Sequence, residues 1–112
     1  MSSRYDSLVQ RLIDSVVDTP GESASALRRA VLERAKRPGS AARDAASLPP
    51  AWTSYIDKVA RHAYKVTDAD VAALKATNSE DTVFELTVAA AVGAALHRLE
   101  RGMAALRGQE PD

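Results

Sequence analysis

The chain has 112 residues, 46% of them hydrophobic, which suits one compact domain and is too short for two. It contains no cysteine, which excludes a disulfide, a thiolate nucleophile, a cysteine-based zinc site and a thiolate-held iron–sulfur cluster. Formal net charge is zero, yet residues 1–65 carry 11 Lys/Arg against 7 Asp/Glu and residues 66–112 carry 4 against 8. That polarity either favours head-to-tail or self-complementary association or is a chance distribution over solvated helix faces.

The apolar pattern is helical throughout, and no period-2 strand or internal repeat is found. Tyr5, Leu8, Leu12 and Val16, with Val9 and Ile13 beside them, recur at spacings of three and four and predict a helix from about Ser3 to Val17. Met1 to Asp6 lack the basic and apolar segments of a secretory signal, so a cytoplasmic location is expected. Thr19-Pro20-Gly21 stops the first helix. Ser23 or Ser25 is expected to cap a second, with Leu27, Ala30, Val31 and Ala35 on one side and Pro38-Gly39-Ser40 at its end. Residues 40–50 read as a loop or short turn.

A third helix carries Trp52, Tyr55, Ile56, Val59, Ala60 and Ala63 as one continuous stripe, with Pro50 in its first turn. Asp57, Lys58, Arg61 and Lys65 fall on its outer side. Thr67-Asp68-Ala69-Asp70 predicts a capping box opening a short fourth helix through Val71 and Leu74. Asn78, which tolerates the left-handed conformation, is expected to close it. Ser79-Glu80-Asp81 caps a fifth helix without a breaker from Thr82 to about Leu106. Its middle, Val83 to Leu96, is apolar on nearly every side, which predicts a central helix surrounded by neighbours. The longest apolar run, Leu86 to Leu96, has eleven residues, about half of the roughly 20 that span a bilayer, so no membrane partner is expected. Residues 107–112 read as a tail.

Tyr55-Ile56-Asp57-Lys58, Val66-Thr67-Asp68-Ala69-Asp70-Val71-Ala72-Ala73-Leu74, Glu80 to Leu86 and Arg98-Leu99 together resemble the AhpD-like (alkylhydroperoxidase, carboxymuconolactone decarboxylase) superfamily, nearest its peroxidase-related branch. The likeness covers residues 55–106, and residues 1–54 diverge. Asn78 stands near the family's helix-ending glycine and His97 where that branch often has asparagine. The resemblance implies an all-α, single-domain bundle of about five helices, with a long central last helix, that forms homo-oligomers. In the family, peroxidase chemistry comes from a C-x-x-C-x-x-x-H helix upstream of the matched segment, and this chain has no cysteine to supply it.

The leading expectation is therefore a non-redox AhpD-like protein serving as a structural, scaffold or ligand-binding module. The alternative is a cysteine-independent enzyme of the carboxymuconolactone decarboxylase kind, acting on a small carboxylated substrate. There His62 is the candidate proton relay, Glu85 a carboxylate raised in pKa by its apolar helix, and Tyr64 a candidate pocket residue. The structural alternatives are a boundary position for His62 and, for Glu85, helix-dipole stabilisation or a pairing with Arg98. A third reading is a small helical DNA-binding or regulatory protein that uses Arg28, Arg29, Arg34, Lys36 and Arg37, although Glu33 interrupts that run and nucleic acid is not expected as a partner. His62 and His97 form no metal motif, and neither metal nor cofactor is predicted. A small-molecule ligand remains open.

Overall fold

The computed structural model describes residues 4–37 and 48–108; the loop expected at residues 40–50 lies largely outside them, as do the sequence-end residues 109–112. Five α-helices are present among the described residues: α1 Arg4–Val17, α2 Ser25–Lys36, α3 Pro50–His62, α4 Asp68–Lys75 and α5 Glu80–Leu106, with a 3-10 turn, Ala63–Lys65, after α3. No strand occurs among them, so the fold is all-α.

Local chemistry sets most helix starts. Pro50 occupies the first turn of α3, where its missing N–H has no intrahelical partner to lose. At α4 the capping box is complete: the Thr67 hydroxyl accepts from the Asp70 amide at 3.2 Å, and the Asp70 carboxylate accepts from the Thr67 amide at 2.9 Å. Ser79 accepts from the Thr82 amide and opens α5. Two expected caps are built differently. Ala24, not a serine, precedes α2 and makes no side-chain cap bond, because Ser23 and Ser25 turn to other partners. Asn78 does not take the left-handed conformation either; its side-chain amide donates to Leu74 O at 3.0 Å and so satisfies a terminal carbonyl of α4.

The core is organised on α2 and α5, which share the largest interface. Val31, Leu32 and Ala35 of α2 are buried against α5, whose inner side presents Val83, Leu86, Ala89, Ala90, Gly93 and Ala94. Gly93 marks the closest approach, since a Cβ there would stand 2.3 Å from Leu32 O. On the next flank lies α3, with Trp52, Tyr55, Ile56 and Ala60 buried as the stripe predicts; Ala63, the stripe's last position, is exposed in the 3-10 turn. The Tyr55 hydroxyl meets Thr87 Oγ1 at 2.9 Å, and Arg98 donates to Ala60 O at 3.2 Å, so α3 runs parallel to α5.

The expectation that neighbours surround α5 holds only for its inner side. Ala91 and Ala95 are exposed and Phe84 is 68% exposed, although α1, α2, α3 and α4 all contact the helix. By length and composition alone α5 is also apolar enough to cross a membrane, which the eleven-residue count did not anticipate. Its contacts with α2 and α3 account for the apolar content on the covered sides.

Candidate functional site

Glu85 lies in the second turn of α5, facing the segment between α1 and α2. Its carboxylate accepts hydrogen bonds from the Glu22 amide at 2.9 Å, the Ser23 amide at 2.8 Å and the Ser23 hydroxyl at 2.6 Å, and Arg28 stands 3.4 Å away. These bonds, led by the Ser23 hydroxyl and the two backbone amides, hold its pKa down at about 2. The expected upward shift is thus reversed. Three donors favour the anion more than partial burial disfavours it.

Arg28 is 4% exposed and ties the same region together. One terminal nitrogen donates to Val17 O at 2.9 Å and Thr19 O at 2.5 Å, the other to Ser23 O at 3.1 Å and towards Glu85. Ser25 adds a bond to Val17 O at 2.7 Å, so the last carbonyl of α1 is satisfied from α2. Gly21 completes the arrangement by having no side chain: a Cβ would come within 2.6 Å of Glu85 Oε2 and 2.8 Å of an Arg28 terminal nitrogen.

A cleft of about 220 Å³ opens beside this cluster, lined by Val16, Pro20, Phe84 and Val88 together with Arg28 and Glu85. The charged pair offers little to an anionic ligand in it. Both terminal nitrogens of Arg28 are already bonded to the protein, so a bidentate grip on a carboxylate has no free fork. A carboxylate with pKa about 2 is ionised at neutral pH and is a weak general base. A second cleft, of about 360 Å³, lies between α1 and the end of α5 over Val9, Ile13, Leu96, Leu99 and Met103, with the Lys36–Glu100 ion pair at its rim.

The remaining predicted positions do not converge on Glu85. His62 is exposed at the end of α3, with its ring edge-on to Tyr64 at 5.9 Å. Tyr64 is 82% exposed and has Lys65 Nζ near its ring face. Neither residue lines the two clefts above, and no hydrogen bond joins His62 to Glu85 among the described residues. Arg98, the expected partner of Glu85, bonds Ala60 O instead. His97 is half-buried.

Each of the five cations of the basic run faces a carboxylate. Arg28 meets Glu85, Arg29 meets Asp18 at 3.6 Å, Arg34 meets Asp57 at 2.9 Å, Lys36 meets Glu100 at 3.4 Å and Arg37 meets Glu33 at 3.0 Å. Arg28 and Arg34 are buried and hold helices together, which leaves no protruding basic row of the kind a phosphate backbone requires. Neither the Arg28–Glu85 pair nor the Arg34–Asp57 pair is foretold by the residue pattern. The available signal is that Arg28 and Arg34 fall on the helix side that also carries Val31 and Ala35.

Fold and site together define a cysteine-free, all-α protein, with five α-helices among its described residues, whose charged cluster is a structural tie. Comparison of the chain with models of known families, with curated proteins and with solved structures finds no match in any of the three.

Proposed function

We propose that the chain is a non-redox, AhpD-like helical protein of the cytoplasm that works through self-assembly, as a homo-oligomeric structural, scaffold or ligand-binding module without peroxidase activity. The observation that carries this reading is the open side of α5 and α1, where Phe84, Leu8 and Leu12 are 68%, 51% and 43% exposed. Large apolar side chains left exposed favour burial against another subunit. The engagement of Glu85 as a tie between α5 and the α1–α2 connection, and the absence of any thiol, support a role that does not depend on redox chemistry.

Sedimentation velocity over a micromolar concentration series tests the proposal. A discrete oligomer is expected, together with no turnover of organic hydroperoxides in the presence of a dithiol reductant. A stable, monodisperse monomer removes the assembly reading, and hydroperoxide turnover removes the non-redox one.

A further inference from the structure

Resting on the self-assembly reading, we propose where and how two chains meet: the open side of α5, flanked by Leu8 and Leu12 of α1, packs against the same surface of a second copy, antiparallel, about a two-fold axis between Ala91 and Ala95. The surface is continuous. Val16 of α1 lines one cleft with Phe84 and Val88, while Val9 and Ile13 line the other with Leu99 and Met103, so α1 runs antiparallel beside α5. Leu8 and Leu12 precede Val16 at intervals of four, so helical spacing sets them on the side of α1 that carries Val16, and both are exposed, as Phe84 is.

Along α5 the outward positions are Glu80 and Asp81, then Phe84, Val88, Ala91, Ala95, Arg98, Gly102 and Leu106, at helical spacing. Turned about an axis between Ala91 and Ala95, this row complements itself. Ala91 faces Ala95 of the second copy, and two alanines at the crossing allow the axes to approach to about 8 Å. Phe84, the largest exposed side chain of the row, faces Gly102, where a Cβ would meet nothing within 4 Å. A bulky side chain thus enters an empty notch twice, once on each side of the axis.

Charge selects the same direction. The row starts acidic, at Glu80 and Asp81, and its far end carries Arg98 and is flanked by the exposed Arg101 and the cap residue Arg107, with Glu100 among them tied to Lys36. Antiparallel packing sets each acidic end beside a basic end; parallel packing sets like beside like. A self-complementary patch of this kind closes as an isologous dimer and leaves no open apolar end.

The missing cysteines make the test clean, because engineered thiols stand on an empty background. Three measurements are made on the full chain: sedimentation of the wild type, of Phe84→Glu and of Gly102→Leu; far-UV circular dichroism of each; and oxidative cross-linking of Ala91→Cys and Ala95→Cys chains, alone and mixed. Phe84→Glu and Gly102→Leu are expected to weaken self-association roughly tenfold or more with helicity kept, since one charges the knob and the other fills its notch. Cross-linking is expected to be much faster in the mixture than in either chain alone. A wild-type oligomer unchanged by both substitutions overturns this interface and leaves the assembly reading standing. A monomeric wild type overturns both, including one that binds zwitterionic lipid vesicles through the same surface. Faster linking of Ala91→Cys to itself overturns the antiparallel register.

Discussion

Gly93→Ala offers the sharpest test of how α2 and α5 are held. In a helix interior, replacing glycine by alanine ordinarily stabilises by about 0.8–1 kcal/mol, because the backbone loses less freedom on folding. Here the added methyl would stand 2.3 Å from Leu32 O, 2.9 Å from Ala35 Cβ and 3.1 Å from the Lys36 amide nitrogen. Carbon and oxygen settle at about 3.5 Å, so α2 must retreat by roughly 1 Å. The nearest obstacle is a backbone carbonyl inside a helix, which no rotamer change can move aside. Overpacking of this kind costs about 1–3 kcal/mol, and at the upper end of that range it exceeds the propensity gain by about 1–2 kcal/mol. Urea unfolding followed by circular dichroism, at one fixed chain concentration, should show a lower midpoint with an unchanged slope; the thermal midpoint should fall by roughly 5–10 °C. A Gly93→Ala chain as stable as the wild type, or more stable, would refute the close approach.

Four further outcomes are expected. Glu85 is ionised in the folded chain down to about pH 2 against 4.5 ordinarily, so its contribution is full above the ordinary value and is lost as pH falls towards 2. Glu85→Gln should therefore lower the thermal midpoint at pH 7, with the gap to wild type closing between pH 4.5 and 2 in parallel melts. Gly21→Ala should destabilise by displacing the same carboxylate, and in a double-mutant cycle its effect should be non-additive with Glu85→Gln. Thr67→Ala removes the hydroxyl half of the capping box and should cost about 1 kcal/mol in chemical unfolding, most of it recovered by Thr67→Ser. Asp57→Ala leaves the buried Arg34 guanidinium without its bidentate partner and should destabilise more than Arg34→Met, by the unpaired-charge argument; equal losses in denaturant melts would contradict it.

The elements most legible in the sequence are those decided within a few residues. Pro50, the Thr67–Asp70 box and Ser79 each act on the turn that follows, and the stripe from Trp52 to Ala60 faces inward because helical spacing alone puts it on one side. Longer-range partnerships were hidden. Glu85 takes its hydrogen bonds from residues 62 and 63 positions away, and Arg34 meets Asp57 across 23. No local pattern states which charge will meet which. The serines near α2 look like caps until Glu85 and Val17 O compete for them. Hydropathy likewise counts Phe84 with the buried side chains of α5, although which sides of a helix are covered depends on where its neighbours lie. His62 carried a chemical expectation through its residue type, and its exposure follows from where α3 ends.

The distance in sequence between Arg28 and Glu85 bears on how the chain reaches its fold. Helices α1 and α2 emerge first during synthesis, yet the carboxylate beside Arg28 and the flat helix side at Gly93 both belong to the last third of the chain. Until α5 has been made, Val31, Leu32 and Ala35 have no α5 surface to pack on and Arg28 lacks its counter-charge. Closing so long a loop delays the reward of the contacts it brings. The protein is thus a helical chain whose folding resembles that of a sheet protein in one respect: α1 and α2 wait for the later-made α5, and folding should be slower than its helix content suggests.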